Sequence, residues 1–307
     1  MEDYPRTITE FQERFGTEED CLAYLEKVRW PEGFRCPHCL HVEAWRMRGT
    51  LWLCRRCRRQ VSVTAGTIFQ DTRKPLRWWF QAMWHVTNQK HGVSALGLQR
   101  ALGLGSYPTA WNWLHKLRRA MVRPGRDRLS GLVEVDEVFI GGERPGKSGR
   151  GAEGKTLVLV AAQEASARRI GRIRLRRISD AAMITLHEAI EECIEPGSVV
   201  RTDGWSGYNN LDMIGYKPKI VRKDAAVGQD ALSLVNRVAS LLKRWLLGTH
   251  QGAVRPSHLD YYLDEFTFRF NRRTSKSRGL LFYRLVQQAV AIGPWTERDI
   301  RGGFAGQ

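Results

Sequence analysis

Residues 132–140 read LVEVDEVFI, and this stretch governs how the rest of the chain is interpreted. Apolar and acidic side chains alternate through its first half, which is the period-two pattern of a β-strand. Glu134 and Asp136 therefore point to one face of the strand, and Val133, Val135 and Glu137 point to the other. A carboxylate on so apolar a strand is costly to bury unless a cation or a hydrogen-bond donor meets it. Taken alone, the stretch is equally compatible with an edge strand whose acids are hydrated.

Two later segments favour a metal site over a hydrated edge strand. Residues 199–204 read VVRTDG, a short β-rich run in which Asp203 stands where the strand gives way to a glycine turn. Residues 232–247 predict a helix. One face of this helix is apolar and carries Leu234, Val238, Leu241 and Trp245. The opposite face is polar and carries Asn236, Ser240 and Lys243. Two aspartates on strands, with an oxygen ligand and a lysine on a helix, fit a metal-dependent phosphoryl-transfer site, because Mg²⁺ prefers hard oxygen ligands.

The composition indicates a multidomain protein with a polyanionic partner. At 307 residues and 42% hydrophobic content, the chain can form one large core plus smaller modules, or two to three domains. The net charge is +17, and the isoelectric point is about 10.1, which favours nucleic acid as a partner. Residues 73–128 carry 11 Lys and Arg against one acid, whereas residues 1–72 carry 11 of each sign. We therefore expect the DNA surface within residues 73–128.

No apolar run of 18 residues occurs, and the acidic start Met1-Glu2-Asp3 is unlike a signal peptide. We therefore expect no membrane partner and a cytoplasmic location, associated with the nucleoid. Of six cysteines, four form two CxxC pairs separated by fourteen residues, which predicts one structural Zn²⁺ in a zinc ribbon held by Cys36, Cys39, Cys54 and Cys57. Redox-active or fortuitous thiols are the alternative. His38, inside the first pair, is expected to be a surface residue.

A helix, a glycine turn and a basic helix follow the ribbon. Residues 94–102 and 108–121 predict two helices around Gly103-Leu104-Gly105-Ser106, as in a helix-turn-helix module. Its predicted DNA contacts, late in the second helix, are Lys116, Arg118 and Arg119. The alternative is a helical hairpin without DNA contact, and under either interpretation the tryptophans of this region belong to the core. Upstream, residues 8–28 predict a helical lead-in capped at Thr17.

Residues 141–148, GGERPGKS, match the phosphate-loop pattern GxxxxGK[ST] after a strand. That motif works because a helix starts at its Lys-Ser pair and directs backbone N–H groups at phosphate. Gly149, Gly151 and Gly154 follow at once, so no helix is expected there. The preferred interpretation is a basic loop beside the active site, in which Lys147 and Arg150 contact the DNA backbone.

The remaining pattern is that of an RNase H-like core, a mixed sheet flanked by helices. Strands at 156–162 and 170–176 make a three-stranded meander with residues 132–140; a helix at 180–194, a strand at 199–202 and the helix near Asn236, capped by Asp230, follow. The fold class is multidomain α+β: zinc ribbon, helix-turn-helix module and RNase H-like α/β catalytic core. The expected domains are residues 1–71 (N-terminal helix and ribbon), 72–128 (basic helical module), 129–292 (catalytic domain) and 293–307 (a loose tail).

With these residues placed, the chain resembles the bacterial insertion-sequence transposases of the family numbered fifteen ninety-five (ISXO-two-like), which join a zinc ribbon to a DDE-type RNase H-like core. The most specific matching motifs are Glu134-Val135-Asp136-Glu137, Thr202-Asp203-Gly204-Trp205, Leu242-Lys243-Arg244-Trp245 and Asn271-Arg272-Arg273. By position, Asp136 and Asp203 match the two catalytic aspartates. Asn236, seven residues before Lys243, matches the third ligand of the branch that has Asn instead of Glu.

The resemblance implies Mg²⁺-dependent cleavage and joining of double-stranded DNA, at element terminal inverted repeats and at target DNA, by a homodimer or larger assembly. Two Mg²⁺ ions would be held by Asp136 (both ions), Asp203 (one) and Asn236 (the other), with Lys243 on a phosphate near the scissile bond. Glu134 is a further ligand or a residue that supports the ligands. Additional contacts to the DNA backbone are expected from Arg269, Arg272 and Arg273, although a solvated basic helix end is also compatible with them.

Three alternatives remain at this point. A transposase-derived protein that binds DNA without catalysis is permitted by the neutral Asn236. A nucleotide-driven enzyme would use residues 141–148. A tyrosine-nucleophile recombinase would use Tyr261 or Tyr262, but no Arg/His/Arg cluster or His-x-His pair accompanies them.

Overall fold

The computed structural model describes residues 3–48, 50–122, 125–141, 155–167, 169–221, 232–252 and 254–302. The chain divides into two compact units. Of the described residues, those between 3 and 122 and between 274 and 302 form unit 1, and those between 125 and 273 form unit 2.

In chain order, the helices of the described residues are α1 (Ile8–Arg14), α2 (Glu18–Arg29), α3 (Leu76–Asn88), α4 (Ala95–Leu102), α5 (Tyr107–Ala120), α6 (Met183–Cys193), α7 (Ser233–His250), α8 (Leu259–Phe270), α9 (Arg278–Ala291) and α10 (Glu297–Gly302). The strands are β1 (Ala44–Arg46), β2 (Leu51–Cys54), β3 (Gln60–Ser62), β4 (Leu132–Ile140), β5 (Thr156–Ser166), β6 (Arg169–Ile178), β7 (Val199–Thr202) and β8 (Lys217–Ile220). Short 3-10 turns lie at Ser206–Tyr208, Leu211–Ile214 and Pro256–His258.

The helices of unit 1 enclose an aromatic core. α2 starts at a capping box in which Thr17 and Asp20 bond to each other's backbone N–H groups, so the predicted cap at Thr17 is confirmed. Phe282 of α9 packs its ring against rings from α1, α2 and α3, namely Phe11, Phe15, Tyr24, Phe80 and Trp84. A cluster of this kind buries a large apolar area and orients the rings edge to face.

The position of α9 corrects one expected boundary. Residues 278–291 were expected within a catalytic domain spanning 129–292, but α9 packs in unit 1. The apolar period of this segment correctly predicts a helix with one buried face. Periodicity does not specify which surface covers that face, because the partner residues are far away in sequence.

The tail also differs from expectation. Residues 293–307 were expected to be loose, but α10 forms within them and Ile300 is fully buried. Thr296 and Asp299 exchange hydrogen bonds with each other's backbone N–H groups, which is the capping-box pattern that starts a helix. Residues 303–307 lie outside the described part of the chain.

Unit 2 is built on a five-stranded sheet in the order β6-β5-β4-β7-β8. β4, β5 and β6 form the predicted antiparallel meander, and β7 and β8 run parallel to β4. One face packs against α6 and the other against α7 and α8. Val133 and Val135 of β4 face α6, whereas Ile140 belongs to the cluster with α7 and α8. The predicted alternation of β4 and the RNase H-like sheet are thus confirmed.

Helix α8 is attached to the edge strand β6 by a side chain that substitutes for a neighbouring strand. The Asn271 amide accepts the N–H of Ile173 at 2.7 Å and donates to the Ile173 carbonyl at 3.1 Å. Arg273 donates to the carbonyls of Gly171 and Ile170 beside it. The exposed backbone of an edge strand needs such partners, because unpaired N–H and C=O groups are costly once they are buried.

We expect Asn271→Ala to lower the free energy of unfolding by about 1–3 kcal/mol, since it leaves both backbone groups of the buried Ile173 without their partner. Urea denaturation of the purified protein measures this change. Asn209→Ala, at an exposed position, is the matched control and should cost less than about 0.5 kcal/mol. Equal stability of the two variants would contradict the tether.

Candidate functional site

A cavity of about 290 Å³ opens in unit 2 between β4, β5 and α7. Its polar lining comes from the two segments that the sequence singles out, β4 and α7. The lining residues are Asp136, Glu137, Val138, Val160, Val235, Asn236, Ala239, Ser240 and Lys243. The fold therefore brings Asp136, Asn236 and Lys243, which are separated by about a hundred residues of sequence, to one cavity.

Asp203 directly follows β7, the strand that pairs in parallel with β4. The two strands pair Leu132 with Val199 and Glu134 with Arg201, and continuing this offset by two residues past the paired segment would set Asp136 beside Asp203. One oxygen of Asp136 accepts the N–H of Glu137 at 2.8 Å, and one oxygen of Asp203 accepts the N–H of Trp205 at 2.9 Å. These bonds orient both carboxylates. Asp203 is not among the residues that line the cavity.

The pKa of Tyr208 responds to the negative charges of the acidic residues at this end of the sheet. Its hydroxyl donates to Glu137 at 2.5 Å. Burial raises the pKa of Tyr208 well above its ordinary value, and the charges of Glu137, Asp136 and Asp203 raise it further. A buried phenol that remains protonated is a fixed donor, so it holds Glu137 in place beside the two aspartates.

The helix that carries Asn236 turns the predicted polar stripe outward. Leu234, Val238 and Trp245 are buried in the core of unit 2. Asn236 and Lys243 are exposed on the opposite side, where they line the cavity. Seven residues make about two helical turns, so the two side chains share one face.

Glu134 anchors the start of this helix. It is 1% exposed, and one oxygen contacts a guanidinium N–H of Arg201 at 3.0 Å. The other oxygen accepts the backbone N–H groups of Leu234 at 2.8 Å and Val235 at 3.2 Å. These contacts fit a supporting residue for the ligands and not a further ligand. Asp230, the predicted cap of the helix, lies outside the described residues.

The donor set at the cavity suits Mg²⁺. Two carboxylates and an amide oxygen are hard ligands, and magnesium sites commonly combine one or two protein carboxylates with water and substrate phosphate. Within the described part of the chain, the four ribbon cysteines are the only group of three or more His, Cys, Asp or Glu whose ligand atoms cluster closely. Asp136 and Asp203 belong to no such cluster of described residues.

The zinc ligands are assembled by two knuckles of identical backbone geometry. All four sulfur atoms lie within 4.8 Å of one another; Cys36 and Cys57 are 3.6 Å apart, and Cys39 and Cys54 are 3.5 Å apart. Such spacings fit tetrahedral zinc with Zn–S bonds of about 2.3 Å. In each knuckle the residue after the second cysteine, Leu40 or Arg58, has a left-handed φ, 61° or 56° respectively, and its N–H returns to the carbonyl of the first cysteine. The repeated turn directs the two thiols of each knuckle toward one common point. The zinc ribbon predicted from the sequence is thus confirmed.

The predicted turn between two helices is present, but one of its predicted DNA contacts is internal. Arg118 is 1% exposed, one turn after the buried Leu114 on the inward face of α5, so its assignment to a DNA surface is corrected. Burial lowers the pKa of Lys116, and the negative charge of Asp71 raises it by a smaller amount. The Arg119 guanidinium lies over the ring of Trp295 at 5.1 Å. The periodicity of a basic helix does not separate an outward arginine from an inward one.

Three of the five tryptophans of this region, Trp79, Trp84 and Trp113, are buried as predicted, whereas Trp78 and Trp111 are only half-buried. Trp79 stacks on Trp113 with ring centroids 4.0 Å apart. Tyr261 and Tyr262, the nucleophiles of the recombinase alternative, are also buried on α8. A buried phenol cannot attack a DNA phosphate, so this alternative loses its chemical basis.

The other basic candidates divide into two groups. Arg272 lies over the ring of Phe268 at 4.1 Å and donates to its carbonyl, and Arg273 bonds to β6, where burial lowers its pKa. Both arginines thus contact the protein itself, and Arg269 is half-buried. Lys147 and Arg150 lie outside the described residues, as does the phosphate-loop-like stretch from residue 142.

The zinc ribbon carries a basic surface that sequence reasoning missed. Residues 35–59 contain seven arginines and one acid, and all seven arginines are exposed. Two of them, Arg55 and Arg58, lie over the ring of Trp45 at 5.1 and 4.7 Å, and this ring is itself 40% exposed. The signal was hidden because an acidic stretch at residues 1–32 cancels the charge when residues 1–72 are counted together.

Among the described helices, none combines the length and the apolar character that crossing a lipid bilayer requires.

Two parts of the chain match known domain families. Residues 16–60 match the transposase zinc-ribbon domain, and residues 128–271 match the ISXO2-like transposase domain. Together the two matches cover more than half of the chain. A protein of Halobacterium salinarum, described as an uncharacterized protein in transposable element ISH50, is 28% identical over 279 residues, which span 83% of this chain and 91% of that protein.

Two solved structures are similar in part. The catalytic core domain of BIV integrase is 14% identical with a TM-score of 0.30, covering 44% of this chain and 81% of that chain. A simian T-cell lymphotropic virus intasome, solved in complex with PP2A regulatory subunit B56 gamma, is 14% identical with a TM-score of 0.33, covering 60% of this chain and 70% of that chain.

Proposed function

Because the chain belongs to the ISXO2-like transposases that carry an N-terminal zinc ribbon, we propose that it cuts the ends of a DNA insertion element and joins them to target DNA. The observation that carries this proposal is the cavity of unit 2, which Asp136, Asn236 and Lys243 line together, while Asp203 directly follows the strand that pairs in parallel with β4. The reaction class is metal-dependent hydrolysis followed by transesterification at DNA phosphates.

In this proposal, two Mg²⁺ ions are held by Asp136, Asp203 and Asn236. When bound, the ions supply an activated water or 3′-hydroxyl and stabilise the leaving oxygen. The carboxylates of Asp136 and Asp203 provide charged oxygens, which their bonds to backbone N–H groups already orient. Lys243 offers an ammonium group on the same helix face as Asn236 and neutralises a phosphate near the scissile bond.

The neutral Asn236 shapes the order of binding. An amide oxygen is a weaker ligand for Mg²⁺ than a carboxylate, so an ion held by Asn236 would have one negatively charged ligand fewer. A DNA phosphate would supply that charge, and metal affinity is therefore expected to rise when DNA is bound.

A second candidate function is a transposase-derived protein that binds DNA without cutting it, which the amide at position 236 favours. The deciding experiment incubates the protein with DNA carrying the terminal inverted repeats of its element, with Mg²⁺ or with EDTA. Cleavage that requires Mg²⁺ supports the transposase activity. DNA binding without cleavage at any Mg²⁺ concentration identifies the inactive binder.

For the DNA partner, we propose contacts by the ribbon arginines and by the helix-turn-helix formed by α4 and α5. In this module the turn around Gly105 is exposed, as are the first residues of α5, such as Tyr107. Arg100 of α4 is also exposed. The start of the second helix is where such modules reach bases. Two element ends must be brought together, so a dimer or larger assembly acts on DNA, in the cytoplasm at the nucleoid.

Replacing Arg56 and Arg58 together with alanine is expected to weaken DNA binding and to lower its salt dependence. Each lost phosphate contact reduces the slope of log affinity against log salt by about 0.9, so the slope should fall by about 1.8. Fluorescence anisotropy with duplex DNA between low and moderate salt measures it. The matched control is Arg6→Ala with Lys27→Ala in the acidic stretch of residues 1–32, which removes the same charge. An equal change in both variants would show that the ribbon makes no specific contact.

A further inference from the structure

A buried carboxylate joins the sheet to the helix that carries Asn236. Glu134 on β4 accepts the N–H groups of Leu234 and Val235, which belong to the first turn of α7. First-turn N–H groups have no partner within their own helix and form its positive end. Leu232, the residue that precedes the helix, provides no side-chain cap, so Glu134 performs that role from another element.

Three residues of this network, one on each element, lie two residues before a proposed metal ligand. Glu134 precedes Asp136 on β4, and its partner Arg201 precedes Asp203 on β7. Leu234, whose N–H it accepts, precedes Asn236 on α7. Two residues along a strand return to the same face about 7 Å further on. The network thus lies directly beneath the cavity and touches all three elements that carry its ligands.

The strands and the helix differ in what holds them in register. β4 and β7 pair Glu134 with Arg201 through their backbones, so the levels of Asp136 and Asp203 follow from the sheet. α7 has no such ladder. Its apolar stripe packs on the sheet, and apolar packing alone tolerates small shifts and rotations. Directional hydrogen bonds to Leu234 and Val235 set both the height and the rotation of the helix.

Stability does not account for this ion pair. A buried salt bridge is often replaceable by apolar side chains without loss, because its desolvation offsets its attraction. The Arg201 side chain is largely buried, it is shared with Glu164 at 3.5 Å, and its Nε has no hydrogen-bond partner among the described residues. An arrangement this costly points to a requirement for geometry.

We propose that Glu134 is a positioning residue, which with Arg201 locks the start of α7 so that Asn236 meets Asp136 and Asp203 at one metal site. This inference rests on the proposed function. It assigns Glu134 no direct contact with metal or DNA, because both of its oxygens are already engaged.

The test compares Glu134→Leu, Arg201→Leu and the double variant E134L/R201L in the full chain. Each single change leaves a buried charge or buried N–H groups unsatisfied, and is expected to lower Tm. The double variant removes both charges, so its Tm is expected to lie above that of either single variant, while the N–H groups of Leu234 and Val235 still lack their acceptor. Its Mn²⁺ affinity without DNA, measured by electron paramagnetic resonance, is expected to be at least about tenfold weaker, as for losses of residues that orient metal ligands.

A second measurement does not depend on metal. Hydrogen exchange at the amides of Leu234 and Val235 is expected to be at least about tenfold faster in the double variant, because their acceptor is gone. Glu134→Gln keeps an oxygen for these amides and should retain their protection and most of the Mn²⁺ affinity. The control is Arg176→Leu with Glu192→Leu, a partly exposed ion pair of the same unit, which should change neither readout.

The outcomes separate the two claims. A double variant with wild-type Mn²⁺ affinity and protected amides would overturn the positioning role. Loss of both in a double variant whose Tm exceeds that of either single variant, with both retained in Glu134→Gln, would establish it. If the wild type itself bound no Mn²⁺, with or without DNA, the proposed metal site would fail, and the exchange at Leu234 and Val235 would still decide whether Glu134 holds α7.

Discussion

Asp136→Asn is expected to lower the single-turnover rate of Mg²⁺-dependent cleavage of element-end DNA by about a thousandfold. The side chain keeps its shape and can still accept the N–H of Glu137, so the fold should be unchanged. It loses the negative charge that attracts the metal, and metal stabilisation of the transition state is worth several kcal/mol. About 4 kcal/mol corresponds to a thousandfold change in rate.

Three comparisons make this result specific. Asp203→Asn should show a loss of similar size, since Asp203 directly follows the strand adjacent to β4 and is proposed to hold the same ions. Glu192→Gln, a partly exposed carboxylate on α6, should cleave at the wild-type rate. DNA affinity of the Asp136 variant without metal should remain unchanged. Cleavage within about tenfold of wild type would show that Asp136 is not a metal ligand.

Removing zinc is expected to unfold the ribbon completely. A structural zinc site contributes an apparent binding free energy of about 10–16 kcal/mol, which exceeds what a three-stranded sheet of this size supplies. The core of the ribbon beside the cysteines is small: Trp52 stacks on Phe34 at 5.6 Å, and Trp30 meets both rings edge-on. Without the metal these rings lose their common support.

Metal analysis should find about one zinc per chain, and treatment with a strong chelator or the change Cys54→Ser should release it. Hydrogen exchange over residues 36–62 then rises to the rate of an unfolded peptide. Cys193→Ala, at a buried thiol of unit 2, is the control and should retain the zinc. A ribbon that stays protected without zinc would refute the structural role of the metal.

The parts of this protein that local patterns predict are those in which neighbouring residues cause the structure. Alternation along residues 132–140 predicts the central strand and its two faces, because a strand turns successive side chains to opposite sides. The spacing of the two CxxC pairs predicts the zinc ribbon, since each knuckle closes within six residues. The polar stripe of α7 follows from the helical period, and it correctly carries Asn236 and Lys243 to one face.

The departures all involve partners distant in sequence. Arg118 looks like a DNA contact in a basic helix, but the unit buries it. Arg273, predicted to contact the DNA backbone, is exposed and also donates to carbonyls of the edge strand β6, which the sequence does not indicate. The apolar face of α9 predicts burial without naming its cover, which proves to be the aromatic core of unit 1.

By itself, the sequence determined which elements form, which cysteines converge, and which side chains stand on the faces of β4 and α7, because these properties depend on periodicity and short spacing. Only the tertiary structure decided what each face meets. It set Glu134 beneath the start of α7, brought Asn236 to Asp136, and separated exposed arginines from buried ones. The physical reason is that a buried polar group must find a hydrogen-bond partner, and here the partners are about a hundred residues apart in sequence. A local sequence pattern contains no information about such distant partners.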